Sequence, residues 1–562
     1  MVDLSGLPAV HPALVLIVGA LLVAVVPRRA GAALTVLTGL VALVAVVRLD
    51  EGTVWDLGFY TYELTWLRAD GLSLAFATVF ALIIVIAGVY GWTTMGRLER
   101  AAALATAGCG VGVVLAGDLL TVFFFWEFKV TTAALLIFAR RRARSAAAGL
   151  RYLGVHLVGG VLLLAGTVWH LIDTGSLAFA SLELTGATGL VLAGFLVSAA
   201  ALPVNAWLPD SYPESTVAGT VVLSAFTTKS AVYVLARGFP GVELLLWLGV
   251  AMAIFGVVYA VLEDDIRRLL AYHIVSQVGF MVAAIGVGTE AAVNGATAHA
   301  TAHVLYKGLL LMGVGAVLYV TGRSRASELG GLARALPWVL VLYMVGALSI
   351  SGAPLFSGFP AKELAVTSVG DGGSYAAQWL LKLASVGTFL SVALKLPALT
   401  WFGEPRSATG AGPAPTLQSV PVTMYVAMGV AAVANVAIGV RPALLYDLMP
   451  TAVSFEPYTV AKVVEATMLL AFTGLGFWLL RAKLQPAAKV SVDTDWVYRE
   501  LPTIVRRRIA ERPERAGPED RRPRLPAPTM PGAPTRPVIP SWVLGGAIVG
   551  AMVLVLAVSV VA

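Results

Sequence analysis

The segment TAHATAHVLYKG, residues 297–308, sets His299, His303 and Lys307 four residues apart inside a run that otherwise reads as buried apolar helix. Each four-residue step advances about 40° around a helix, so the three side chains share one stripe about 12 Å long. Histidine titrates near physiological pH and passes a proton from one ring nitrogen to the other, so this stripe, with interleaved waters, suits a proton wire. The two histidines also have the spacing of the zinc-protease H-E-x-x-H. Here Ala300, Thr301 and Ala302 lie between them, and the missing general-base glutamate argues against metal hydrolysis. A hydrogen-bonded pair of core histidines is the bland alternative, and Lys307 beneath them counts against it.

Charged side chains at membrane depth are costly and usually functional. Glu127, in GDLLTVFFFWEFKV, lies nine residues beyond Asp118 and so about 13 Å into its helix. A carboxylate there needs a cation or a proton, and Lys129, two residues on, points to a different face. Lys229, in LSAFTTKSAVYVL, sits about ten residues from either end of its span with no acid in the same helix, a placement suited to a proton carrier. Lys362 follows a helix break in SGFPAKE, beside Glu363, where snorkelling to an interface is a second reading. His156 and His273 fall in or near spans, as core residues bonded to carbonyls or as further titrating groups. Arg267 and Arg268 follow Glu263, Asp264 and Asp265 and read as a cytoplasmic helix-start cluster.

The chain around these residues has 562 residues, 58% hydrophobic and 13% charged, with a mean hydropathy of +0.85. Such apolar content far exceeds what a soluble core needs, so the sequence describes a polytopic membrane protein. Apolar runs of spanning length recur from about residue 11 to about 481, with one more at about 541–562, about 16 spans in all. Each should be helical, because hydrocarbon offers no partner for free backbone groups. The stretches 48–70 and 402–418 read as loops. The first run lacks a basic region before it and reads as a retained helix rather than a cleaved signal. The single cysteine, Cys109, excludes disulfides and Cys-based metal sites within the chain.

A net charge of +7 would point to nucleic acid in a soluble protein. Here it follows membrane topology. Arg28, Arg29, Arg97, Arg100, Arg140, Arg141, Arg142, Arg144, Arg323 and Arg325 fall in loops of one side. Asp50, Glu51, Asp56, Glu63, Asp173, Glu183, Glu290 and Asp371 mark the other. This positive-inside pattern places both the N-terminus and the end of the last helix outside.

Two apolar segments are interrupted, ALPVNAWLPDSYPEST at 201–216 and GALSISGAPLFSGFPAKE at 346–363, about five spans apart. Proline removes a helix bond and clashes with the preceding turn. Paired interruptions in two halves point to inverted repeats with discontinuous helices at a transport site. An odd number of spans per repeat inserts the second copy upside down. Residues 482–540 are rich in proline and arginine and read as a cytoplasmic linker with a short amphipathic helix at about 495–511. The chain has no phosphate-binding loop, no dinucleotide fingerprint and no haem or iron–sulfur ligand set, so no cofactor is expected and energy must come from an ion gradient or a partner.

GDLLTVFFFWEF, LPVNAWLPDSYPE, LSAFTTKSAVY, DDIRRLLAYHIVSQVGFM, HATAHVLYKGLLLMG and SGAPLFSGFPAKE, in that order over about residues 65–400, resemble the signatures of the proton-conducting antiporter-like subunits. That family includes the D-type member of Mrp-type multisubunit sodium/proton antiporters and the large membrane-arm subunits of complex I and membrane-bound hydrogenases. SAFTTKSAVYVLARGFPG tilts the resemblance toward the Mrp D-like branch. It implies an all-α polytopic fold with a 14-helix core of two inverted five-helix repeats, each with a broken helix. The expected divisions are N-terminal helices at 1–100, repeats at 101–240 and 241–400, C-terminal core helices at 401–481, the linker at 482–540 and a final span at 541–562.

The resemblance also implies that Glu127 is the key glutamate, Lys229 the central lysine, His299, His303 and Lys307 the connection between halves, and Lys362 the terminal lysine. Arg267 stands where relatives often carry lysine. Relatives place a further lysine, the glutamate's partner, where this chain has Ser198, so Lys229 or Lys129 substitutes or the coupling differs. The expected function is proton translocation in a multisubunit cation/proton antiporter of the inner membrane, sodium being the expected counter-ion. Its partners would be other membrane subunits of an Mrp-like or complex I-like assembly and the lipid bilayer, with no nucleic acid and no chemical active site of its own. The alternatives are a redox-driven pump component of a complex I or hydrogenase-like enzyme, and a proton-coupled membrane partner of an inorganic-carbon uptake system.

Overall fold

The structure is a computed structural model that describes residues 10–403 and 418–480. The expected linker with its amphipathic helix and the expected span at 541–562 lie outside the described residues. Helices α1 (Pro12–Val25), α2 (Arg28–Val47) and α3 (Gly71–Tyr90) lead into two runs of helices. The first comprises α4 (Arg97–Leu115), α5 (Leu119–Phe138), α6 (Ala143–Thr174), α7 (Gly186–Ser198), α8 (Trp207–Ser211) and α9 (Val217–Gly238). The second comprises α10 (Glu243–Leu262), α11 (Ile266–Val287), α12 (Glu290–Thr321), α13 (Pro337–Ser351), α14 (Gly358–Asp371) and α15 (Tyr375–Thr388), the last continuing as π-helix to Phe402. Helices α16 (Val422–Val440), α17 (Ala443–Tyr446) and α18 (Val460–Leu480) follow.

Twelve helices among the described residues are long and apolar enough to cross a membrane. The short α1 and the two broken segments, α7–α8 and α13–α14, are the remaining apolar passes.

The two runs repeat each other at a fixed spacing. Helices α6 and α12 are both 32 residues long and both end on a glycine in the left-handed region, Gly175 (φ 68°) and Gly322 (φ 69°). Their preceding helices are capped by Asp118, which accepts from Thr121 N–H, and Asp265, which accepts from the N–H groups of Arg267 and Arg268. Each aspartate bridges a residue beyond the long helix, Asp118 to Ala178 and Asp265 to Arg325. All three correspondences share one offset, 147 positions (322 − 175). Each run makes five passes, counting the broken helix once, so the second copy is inverted.

Each break carries a non-glycine residue at positive φ, Ala200 (55°) in the first and Leu355 (72°) in the second. The first break ends at a 3-10 turn, Tyr212–Glu214. The buried Arg267 guanidinium donates there to the carbonyls of Pro213 (2.7 Å) and Ser215 (3.0 Å) and to the Thr220 hydroxyl. Arg267 is therefore an internal clamp rather than part of a surface cluster. Arg151 adds a two-pronged ion pair to Asp210, 2.6 and 2.9 Å. The second break is held from the 441–459 side, where the Tyr446 hydroxyl donates to Pro360 O (3.1 Å) and Leu355 N–H donates to the Tyr458 hydroxyl (3.1 Å).

Two expectations are corrected. The stretch 48–70 is not all loop, because β1 (Val54–Phe59) and β2 (Tyr62–Arg68) pair antiparallel around Tyr60, which takes φ 54°. Leu64 and Leu67 bury one face, Gly117 N–H donates to Thr65 O and the Arg68 guanidinium to Phe179 O, so the hairpin is bound to the ends of α4 and α6. Arg100 is not in a loop but fully buried in the first turns of α4, donating to Trp92 O at 2.6 Å.

Candidate functional site: a buried chain of titratable side chains

The stripe read from TAHATAHVLYKG lies wholly inside the protein, with His299, His303 and Lys307 each 0% exposed. Nε2 of His299 stands 3.2 Å from Gln277 Oε1 and 2.9 Å from the Tyr306 hydroxyl, which makes Nε2 the ring's donor toward Gln277. The ring centroids of His299 and His303 are 6.3 Å apart. Both nitrogens of His303 and the ammonium of Lys307 have no hydrogen-bond partner among the described residues. Leaving such a group without a partner costs about 1–3 kcal/mol, so these side chains are costly where they stand.

Lys229 comes from α9, packed against α12, and donates to Thr228 Oγ1 at 3.1 Å. It lies within electrostatic reach of His299, His303 and Lys307. On the other flank Lys362, in the first turns of α14, is buried and donates to Ile350 O at 2.8 Å, in the second break. Its ammonium is 4.9 Å from the Phe280 ring centroid, and its charge reaches His299, His303 and His273. Snorkelling is therefore not what places Lys362. His273 joins this group, with Nε2 2.7 Å from Ser391 Oγ in the π-helical stretch of α15's continuation. The structure thus gathers Lys229, His303, His299, Lys307 and Lys362 into one buried, electrostatically coupled group on α9, α12 and α14.

Beyond Lys362 is a cavity of about 40 Å³ lined by Ser351, Lys362, Glu363, Lys382, Ser385 and Glu465, among others. That is room for about two or three waters. Its lining runs from the buried Lys362 to Glu465, 47% exposed, which forms an ion pair with Lys382. Among the described residues, no group of three His, Cys, Asp or Glu side chains is placed to hold a metal ion.

Glu127 stands apart from this group. It is half-buried on α5, its Oε1 lacks a partner among the described residues, and its electrostatic neighbours are Lys129 and Tyr152. Its carboxylate rests on Gly160 of α6, where a Cβ would clash with Oε1 and lie 2.7 Å from the carboxyl carbon. Lys129, on the other face of α5, is fully buried, with its ammonium 3.6 Å over the Trp126 ring and no hydrogen-bond acceptor among the described residues. Ser198, where the resemblance calls for a lysine, is buried at the C-terminus of α7.

The fold and this site define a class: a polytopic helical membrane protein of two inverted repeats with broken helices and an interior line of lysines and histidines. Residues 116–391 match the family described as NADH:quinone oxidoreductase/Mrp antiporter, TM. The chain is 31% identical over 272 residues to the D component of the Na(+)/H(+) antiporter of Alkalihalophilus pseudofirmus, covering 45% of this chain and 55% of that one. It thus spans little more than half the length of that relative. It is 30% identical over 396 residues to the N component of the NADH-quinone oxidoreductase of Desulforudis audaxviator, covering 64% and 77%. A chain of the Mrp complex from Dietzia sp. superposes with a TM-score of 0.70 at 25% identity, covering 82% of this chain and 98% of that one. The chain belongs to the NADH:quinone oxidoreductase/Mrp antiporter family.

Proposed function

We propose that this chain is the proton-translocating member of a multisubunit cation/proton antiporter in the inner membrane, exchanging sodium. The observation that carries the reading is the buried, electrostatically coupled group of Lys229, His299, His303, Lys307 and Lys362, five costly side chains on α9, α12 and α14. Similarity to a component of a sodium/proton antiporter and to a chain of an Mrp complex supports it, as does the absence of any dinucleotide or phosphate motif in the sequence.

In this reading a proton entering at Glu127 changes the charge of the first repeat and thereby the proton affinity of Lys229. Lys229, the histidines and Lys307 hand the change on to Lys362, and the water-sized cavity beside Glu363 connects Lys362 to the exterior. Lys129 is the cation within electrostatic reach of Glu127 in this reading, where Ser198 supplies none. The N-terminus, and with it the 441–459 segment, lies on the outer face in this reading, which the parity of the passes and the arginine-rich loops support.

The test is proton flux in inverted membrane vesicles from cells expressing the complete gene cluster, with sodium, potassium or no added cation. Sodium-dependent proton release supports the antiporter. Flux that ignores cations and follows an electron donor replaces it with a redox-driven pump, the reading that similarity to a component of NADH-quinone oxidoreductase would then favour.

A further inference from the structure

The 147-residue offset between the repeats sets three pairs of residues, far apart in the chain, at equivalent positions. His156 of α6 falls on His303 of α12, Tyr152 falls on His299, and Gly160 falls on Lys307. The α12 stripe therefore has a copy on α6, with a ring at each of its first two positions. At the third position the side chain is missing, and the carboxylate of Glu127 from α5 occupies its space.

The contacts of His156 suit a proton acceptor. It is 1% exposed. Its Nδ1 is 2.9 Å from Tyr152 O in its own helix, and a carbonyl only accepts, so Nδ1 carries the hydrogen and neutral His156 presents Nε2 as a bare lone pair. That Nε2 is buried and has no partner among the described residues. The ring is wedged between Tyr152 (centroids 4.1 Å) and Trp207 of α8 (4.4 Å, nearly perpendicular), which fixes its orientation. Four residues along the same face of α6, about 6 Å away along the axis, lies Gly160 with the unpartnered Oε1 of Glu127 against it.

The groups facing this place from the packed elements are few. From α5 come Glu127 and Lys129, the latter within electrostatic reach of the ring; from α6, Tyr152; from the break, Trp207 and Tyr212; from α9, the Thr227 hydroxyl. The hydroxyls of Tyr152 and Thr227 face one another short of hydrogen-bond geometry, and neither has a partner among the described residues.

We propose that His156 is the proton acceptor for Glu127 and forms, with Lys129, the first-repeat station of the path that the α12 stripe forms in the second. The O–H bond of the Glu127 carboxyl breaks and an N–H bond forms at His156 Nε2, the proton passing through a bridging water because the two atoms do not hydrogen-bond to each other. The result is a carboxylate beside an imidazolium whose Nδ1–H stays on the Tyr152 carbonyl. The Lys129 ammonium stabilises the carboxylate and disfavours the imidazolium, two opposing effects on the transfer. This deepens the antiporter reading, on which it rests, by giving the first repeat a relay that does not need a lysine at Ser198.

The test combines two readouts on the full chain, proton flux in vesicles bearing the whole assembly and the infrared band of the protonated Glu127 carboxyl, assigned by its loss in Glu127→Gln. His156→Gln preserves size and burial, and the proposal expects a roughly tenfold or larger loss of flux at unchanged membrane content. It also expects the pH midpoint of the Glu127 band to move by about one unit, the size of a close charge coupling. A band midpoint equal to wild type overturns the proposal even if flux is lost, because a structural defect alone leaves the acid–base coupling untouched. If His156→Gln does not reach the membrane, Lys129→Met carries the same infrared test, with a shifted midpoint expected and an unshifted one overturning the proposal. If the unmodified assembly moves no protons, the antiporter reading fails, while the band still decides whether His156 and Glu127 share a proton.

Discussion

The carboxylate of Glu127 rests against Gly160 on the neighbouring helix, in space that any side chain at that position would fill. The seat is specific to glycine by contact rather than by backbone conformation, since Gly160 lies mid-helix in α6. Gly160→Ala must push the carboxylate, the far end of a flexible side chain, out of this place, at little cost to folding. Proton flux in Gly160→Ala is expected to fall to the level of Glu127→Gln with helix content unchanged by circular dichroism. Wild-type flux in this variant would show that the seat does not matter.

At the far end, Lys382 of α15 and Glu465 of α18 close the cavity beside Lys362 with an ion pair that is partly exposed. Such a pair contributes about 0–1 kcal/mol to stability, so its loss should be felt in transport rather than folding. Lys382→Met is expected to leave the melting temperature in detergent within error of wild type and to change the rate of proton flux severalfold. Equal flux would remove this cavity from the path.

Outside the spans, Asp70 joins the hairpin to the bundle. Burial raises its carboxyl, but two hydrogen bonds from Arg237 (2.6 and 2.7 Å), the Arg237 charge, the Ser73 N–H and Arg68 outweigh that and hold it below the usual carboxylate range. A folded-state value lowered in this way stabilises fully above the unfolded value, about 3.9, and the benefit is lost as pH falls through the folded value. With Asp70 a third exposed, the contribution is about 1 kcal/mol after solvent screening. Asp70→Asn should therefore melt below wild type at pH 7, with the gap closing below about pH 4. A gap that stays constant from pH 7 to pH 3 would contradict the assignment.

Much of this was legible in the sequence because it is written at short range. The α12 stripe needs only four-residue spacing, the breaks announce themselves through Pro203, Pro209 and Pro213 and through Pro354 and Pro360, and Lys229 stands out as a charge amid apolar residues. What escaped depends on distant pairing. His156 has no charged neighbour along the chain within a helical turn that could mark it, and only the 147-residue register ties it to His303; that register is carried by two helices of equal length ending in glycine. Lys129 could be placed on a separate face from Glu127, but its seat over Trp126 is a tertiary fact. Arg267 looked like a surface charge because the carbonyls it clamps belong to residues 213–215, more than fifty positions earlier. The hairpin was hidden by its brevity and by strongly apolar flanks.

In the proposed function Lys229 is the point on which proton transfer between the halves turns; it is fully buried on α9 with a threonine hydroxyl as its hydrogen-bond partner and within electrostatic reach of the α12 stripe. The decisive measurement is proton release with and without sodium in inverted vesicles carrying the assembly with Lys229→Ala, at matched protein content. Sodium-dependent release is expected to disappear while the chain remains in the membrane. Release at the wild-type rate would contradict this, and the line of buried lysines and histidines would then be no proton path.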